Sequence, residues 1–292
     1  MKNRKKRAAA DILEGIFRLS HPGPVFLHGV AVTLFALLAG WPRLHWNTLL
    51  LVVAAHVVMQ LAIAVSNDYC DRQLDALSKK NKPIVRGLIS PREALLLAIF
   101  LMLLMVCLLL FINPLALLVS LLYLIIGQSY NLGLKGTPWS GIAFAIMFPL
   151  IPVYAFVAIG HMIPLILWQV PIAALSGIAV NLANSLPDIA EDAAGHARTL
   201  AVVLGHQGSV LACTCCILLA IVLIAVFALT GMVPAHLAIL LPTLLLTTLA
   251  AGALYLYMRP RQSLQASKYY FYLLVLTCLL LAGGWIVSAS QV

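Results

Sequence analysis

The sequence predicts an all-α integral membrane protein with nine transmembrane helices and a cytoplasmic N-terminus. Three observations carry that prediction. Mean hydropathy is +1.05 and only 9% of residues are charged, which excludes an ordinary soluble domain. Apolar stretches repeatedly approach the roughly 20 residues a helix needs to cross a hydrocarbon core, and the short alternating segments of a β-barrel are absent. When nine spans are threaded in and out, every Lys and Arg except Arg43 falls on one side, which is the positive-inside bias of cytoplasmic loops.

Taken in order, residues 1–22 are basic and partly amphipathic, with Phe17 and Leu19 beside Arg18, and read as an interfacial cytoplasmic segment. Residues 23–292 form one transmembrane domain. Its spans fall at about 23–40, 47–66, 93–112, 115–130, 140–160, 164–183, 208–230, 234–257 and 269–289. Gly and Pro mark the breaks at Trp41-Pro42, Asn113-Pro114, 160–164 and 231–234. No cleavable signal peptide is expected, because the basic Lys2 to Arg7 run leads into charged sequence instead of a short apolar core.

The net charge of +9 would suggest nucleic acid in a soluble protein, but here it marks inner loops. Six cysteines lie mostly within apolar runs, without the spacing of a disulfide framework or zinc site. Cys213, Cys215 and Cys216 fall on different helical faces and read as packing residues.

All nine acidic residues lie on the inner side, so the working surface is cytoplasmic. Three of them, Asp68, Asp71 and Asp75, recur three and four residues apart where the second span runs out. On a helix they fall within about 60° of one another, with Asn67 on nearly the same face as Asp71. After the sixth span, Asn184, Asp188 and Asp192 recur every four residues, with Pro187 able to distort the turn. A carboxylate deep in hydrocarbon costs on the order of 3 kcal/mol, so both stripes belong at helix ends or in a water-filled cavity. Two acidic stripes meeting one another need cations between them. Magnesium suits this role because it takes few carboxylates and keeps waters and phosphate oxygens as its other ligands. Arg72, Lys82, Arg86, Lys135 and Arg198 lie beside the clusters, and such cations bind phosphate oxygens. Carboxylates, cations and an apolar bundle together describe a site for a lipid diphosphate.

Asn67-Asp68-x-x-Asp71-x-x-x-Asp75 resembles the first signature of the UbiA superfamily of intramembrane prenyltransferases. Asn81-Lys82-Pro83 and Gly87-Leu88-Ile89-Ser90 resemble the stretch that follows it. Asp188-Ile189-x-x-Asp192, Gly195 and Arg198-Thr199-Leu200 resemble the second signature, and Tyr130-Asn131-x-x-Leu134-Lys135 the family's Tyr…Lys loop. The likeness spans nearly the whole chain. Departures are Asn184 where many members carry Asp, Lys82 in place of Arg, and Arg86 before Gly87 instead of an Arg after it.

The resemblance implies nine helices bundled around a central cavity in the cell membrane. It also implies Mg2+-dependent transfer from a polyprenyl diphosphate to a small acceptor through an allylic cation. Asn67, Asp68, Asp71, Asp188 and Asp192 would hold magnesium. Asp71, Asp188, Lys135 and Arg72 would carry the chemistry. Asn67, Lys82, Arg86, Tyr130, Lys135, Arg198 and Asn184 would bind substrate, with Asp75 holding metal or orienting a base. Tyr69, Tyr130 and Tyr154 are aromatic candidates for shielding the cation. The leading acceptor is an aromatic, quinone-precursor type. Transfer of a geranylgeranyl group to a glycerol-phosphate ether lipid, or intramembrane terpene cyclisation, is the alternative. A transporter would place charges at mid-span, and none is there; His56 inside the second span reads as a helix-packing hydrogen bond. The partners implied are the two substrates and the bilayer, with no nucleic acid.

Overall fold

The structure is a computed structural model of the chain and describes residues 8–78 and 81–290. The basic run Lys2 to Arg7 and the pair Lys79 and Lys80, all counted above in the charge distribution, lie outside the described residues.

Eleven α-helices occur among the described residues, and no strand. They are α1 (Ala9–Leu19), α2 (Pro22–Gly40), α3 (Trp46–Ser78), α4 (Pro91–Leu110), α5 (Pro114–Asn131), α6 (Ser140–Ile159), α7 (Leu165–Ser185), α8 (Ile189–Ala194), α9 (Leu200–Leu229), α10 (Leu237–Met258) and α11 (Leu264–Ser290). Among the described residues nine spans are long and apolar enough to cross a membrane: α2 to α6, α7 continued by α8, and α9 to α11. The nine expected spans are therefore present, with shifted ends.

The largest shift is in α3, which continues well past the expected end at residue 66. Its 33 residues make about 50 Å of helix at 1.5 Å per residue, against a hydrocarbon core of about 30 Å. The surplus carries the acidic stripe beyond the apolar layer. Starts are fixed by side chains that satisfy orphan backbone donors. Ser90 accepts from Glu93 N at 3.3 Å while Glu93 Oε2 accepts from Ser90 N at 2.7 Å, a reciprocal cap in front of α4. Asn113 Oδ1 accepts from Ala116 N at 2.7 Å to start α5, and Thr199 Oγ1 accepts from Val202 N at 3.2 Å to start α9. Near its start α9 is broken at Gly205, whose φ of 66° is a conformation glycine adopts without steric cost. The span expected from residue 208 is thus preceded by an extra segment.

The helices form two compact units. One comprises the chain up to Thr33 together with Leu44–Leu132; the other comprises Leu34–Arg43 and everything from Gly133 onward. In the first, α3 packs on α4 and α5, and Leu19, Ala62, Val65, Ile84, Ile89 and Ala98 share a buried core. In the second, α7 is the central post, packed by α6, α9 and α11. Gly177 lets α6 approach α7 closely, since a Cβ there would stand 2.3 Å from the Phe144 carbonyl oxygen. All six cysteines are free thiols.

Candidate active site

In the first unit the functional side chains ride on the extended end of α3. Asp68 is 1% exposed. Its Oδ1 accepts from Lys82 Nζ at 2.5 Å and lies 2.9 Å from His21 Nε2. Its Oδ2 is buried with no hydrogen-bond partner. A buried carboxylate is tolerated only when paired, and here the Lys82 ammonium and the His21 ring share one oxygen while Oδ2 has no hydrogen-bond partner. His21 sits at the corner between α1 and α2 with φ of 44°, 47 residues from its partner, a distance that no local motif spans.

On the residue just before Asp68, Asn67 Nδ2 donates to Asn131 Oδ1 at 3.0 Å. Asn131, at the end of α5, is buried. Arg72 lies back along its own helix: Nη1 donates to the Tyr69 carbonyl at 2.6 Å and the guanidinium covers the Tyr69 ring at 4.2 Å. That contact occupies a face of Tyr69 and leaves it poorly placed to shield an allylic cation. Asp71 is half-buried and Asp75 is buried.

Residues 81–89 fold into successive turns, with Arg86 N bonded to Lys82 O at 2.9 Å and Leu88 N to Pro83 O at 3.0 Å. Gly87 supplies a φ of 75°. This loop presents Lys82 to Asp68 but points Arg86 elsewhere: Arg86 Nη1 donates to Glu14 Oε1 at 2.9 Å, on α1. Arg18 Nε also reaches Glu14, at 2.9 Å. The Arg86 hydrogen bond, with both guanidinium charges, holds the Glu14 carboxyl below its usual range. Beneath this pair Gly15 packs so closely that a Cβ would stand 2.6 Å from Ile89 Cγ1. The expected interfacial segment is thus a helix that clamps the Lys82 loop.

In the second unit, Pro187 does more than distort a stripe. It falls in a short 3₁₀ turn, Leu186–Asp188, that separates α7 from α8. Asp188 and Asp192 are half-buried, while Asn184 is exposed at the end of α7. The expected four-residue periodicity fails because the tighter turn changes the rotation per residue. Asn181, one turn before Ser185, is the buried polar group here: its Oδ1 accepts from Ser140 Oγ at 3.3 Å. Ser140 Oγ in turn accepts from Leu200 N at 3.5 Å. Arg198 N donates to Gly136 O at 3.0 Å, tying the second motif's loop to the 3₁₀ turn Leu134–Gly136 that carries Lys135. The Arg198 side chain is exposed. Lys135, Asp188, Asp192 and Arg198 therefore belong to one unit, and Asn67, Asp68, Asp71, Arg72, Lys82, Arg86 and Tyr130 to the other. Tyr154 is 2% exposed within α6 and packs inside the second unit. His56, inside α3, shares a bond with Gln60 Nε2 at 3.2 Å.

Two features test the fit to magnesium. Among the described residues no three His, Cys, Asp or Glu side chains converge as a ready cage. Magnesium does not ask for one, because one or two carboxylates with waters and phosphate oxygens complete its shell. The buried, partnerless Asp68 Oδ2, with an amide neighbour in Asn67, is a hard-oxygen donor of that kind. The residues fit the ion.

A sequence profile described as the UbiA prenyltransferase family matches residues 29–276. The chain belongs to the UbiA prenyltransferase family. It is 29% identical over 198 residues to a digeranylgeranylglyceryl phosphate synthase of Natronomonas pharaonis, covering 68% of this chain and 71% of that one. It is also 29% identical over 187 residues to a 4-hydroxybenzoate octaprenyltransferase of Saccharophagus degradans, covering 62% and 61%. A solved UbiA homologue from Archaeoglobus fulgidus, bound to GPP and Mg2+, superposes with a TM-score of 0.71 at 18% identity over 94% of this chain and 99% of that one. This UbiA-family protein is thus a prenyltransferase, with nine helices long and apolar enough to cross a membrane among its described residues, in accord with the resemblance its motifs carry.

Proposed function

We propose that this prenyltransferase ionises an allylic polyprenyl diphosphate and transfers the prenyl group to an aromatic acceptor of the quinone-precursor type. The observation that carries the reading is Asp68, a carboxylate 1% exposed at the end of a membrane helix, balanced by Lys82 and His21. So costly a group is kept where a cation and its phosphate can use it.

Asn67, Asp68 and Asp71, together with Asp188 and Asp192, would hold Mg2+. When bound, the ion would neutralise charge developing on the departing diphosphate. Lys82, Lys135, Arg72 and Arg198 bind diphosphate oxygens and stabilise the same charge, which is electrostatic catalysis of carbon–oxygen cleavage. Lys82 exchanges Asp68 for a phosphate oxygen as substrate enters. Tyr130, at the end of α5, would cover the cation with its ring. An electron-rich acceptor then attacks, so no strong general base is needed. Arg86, which donates to Glu14, and Asn184, exposed like Arg198, belong to the same proposed substrate contacts. The motifs at both acidic stripes and the UbiA homologue bound to GPP and Mg2+ support this reading, with the site facing the cytoplasm on the strength of the basic inner loops.

Relatives divide over the acceptor. The longer-covering match to a digeranylgeranylglyceryl phosphate synthase favours a second reading, in which a glycerol-phosphate ether lipid takes a geranylgeranyl group. Purified protein in nanodiscs, given geranylgeranyl diphosphate, Mg2+ and a panel of acceptors, separates the two by mass spectrometry. The proposal expects a prenylated hydroxybenzoate or naphthoate, and a product formed only with the glycerol phosphate replaces it with the second reading.

A further inference from the structure

Three contacts let α5 grip the turn of α3 that carries Asn67. Gly127 brings the helices together, with Ile63 Cδ1 2.8 Å from where its Cβ would stand. Gln128 Nε2 donates to Ser66 Oγ at 3.2 Å. Asn131 makes two bonds at once: its Nδ2 donates to the Ile63 carbonyl at 2.9 Å, and its Oδ1 accepts from Asn67 Nδ2 at 3.0 Å.

The chemistry of these partners leaves one orientation for each amide. A backbone carbonyl only accepts, so Asn131 must turn its NH2 toward Ile63. Its oxygen therefore faces Asn67, and Asn67 must answer with its own NH2. The Ile63 carbonyl is also the helical partner of the Asn67 N–H, four residues on, so Asn131 holds both the backbone turn and the side chain of Asn67. Of the two amide atoms of Asn67, the nitrogen is thus the one turned to Asn131. A metal is bound by an amide through oxygen and not through nitrogen, and a free amide would present either atom.

The geometry points to Asn131 as the positioning residue for metal binding at Asn67: it fixes the amide flip that turns Asn67 Oδ1 to the ion. This rests on the reading that Asn67 holds Mg2+, and it gives the Tyr130-Asn131 motif a physical role. Partners that orient a metal ligand typically set about 10–100-fold of metal affinity.

The test is Mn2+ binding, read by electron paramagnetic resonance on the full chain in nanodiscs with an unreactive thio-analogue of geranylgeranyl diphosphate. Asn131→Leu, of similar volume, is expected to weaken Mn2+ binding about tenfold. In an Asn67→Asp background the same change is expected to have almost no effect, because a carboxylate presents oxygen whichever way it turns. Asn131→Asp still accepts from the Asn67 amide but loses the donor to the Ile63 carbonyl, so it is expected to bind Mn2+ more tightly than Asn131→Leu, and it serves if the leucine variant does not fold. Equal weakening by Asn131→Leu in both backgrounds would show general packing and overturn the inference. So would wild-type binding by Asn131→Leu while Asn67→Ala is impaired. If Asn67→Ala itself binds Mn2+ normally, the metal reading of Asn67 fails, and the inference fails with it.

Discussion

Replacing Lys82 with Met probes the ion pair on which the site is built. Asp68 is 1% exposed and Lys82 reaches its Oδ1 at 2.5 Å. Removing one partner of a buried pair costs about 3–5 kcal/mol when nothing replaces it. Here His21 stays on the same oxygen at 2.9 Å, and the Lys82 side chain is 23% exposed, so solvent already screens part of the interaction. About half the cost, ~2 kcal/mol, remains. At roughly 2–4 °C per kcal/mol for a chain near this size, the melting temperature falls by about 4–8 °C. Tryptophan fluorescence during heating in detergent with EDTA reads this directly. Adding Mg2+ with a diphosphate analogue narrows the gap, because the ion takes over the charge on Asp68. A melting temperature within about 1 °C of wild type in EDTA would refute the claim that Lys82 balances a buried carboxylate.

Glu14, held below the usual carboxylate range first by the Arg86 hydrogen bond, contributes stability present above its unfolded pKa and lost as pH falls through the lower folded one. Hydrogen exchange across residues 84–89 is therefore expected to quicken below pH 4.5 in wild type and to lose this acid dependence in Glu14→Gln. Gly15→Val drives a branched side chain into Ile89, 2.6 Å from the added Cβ. Such overpacking costs about 1–3 kcal/mol and should speed exchange in the same loop while leaving α10 and α11 protected. For orientation, single cysteines placed at Arg43 and Lys268 in a thiol-free background should label from opposite faces of sealed vesicles, with Lys268 on the cytoplasmic side. Labelling of both from one side would overturn the topology.

The acidic stripe of α3 was legible because its period matches the helix it sits on, and the polar residues beyond residue 66 simply continue that helix. The second stripe was half legible. Asp188 and Asp192 stand where the motif puts them, but Pro187 produces a 3₁₀ turn, and a tighter turn rotates Asn184 out to the surface while Asn181 is buried. Side-chain partners were not legible at all. Lys82 and Arg86 look equivalent as loop cations, yet one meets Asp68 and the other Glu14, 72 residues away. His21, at the α1–α2 corner, and Asn131, at the end of α5, act on the stripe from elsewhere in the chain, and no local pattern announces a contact set by packing.

The central claim is that the carboxylates at the two stripes serve Mg2+-dependent cleavage of an allylic diphosphate. Release of pyrophosphate from radiolabelled geranylgeranyl diphosphate, measured with and without EDTA in wild type, Asp71→Ala, Asp188→Ala and the double variant, tests it most directly. The account predicts release by wild type that EDTA abolishes, and a loss of at least about a hundredfold in each single variant. Wild-type release by the double Asp71→Ala, Asp188→Ala variant would contradict it.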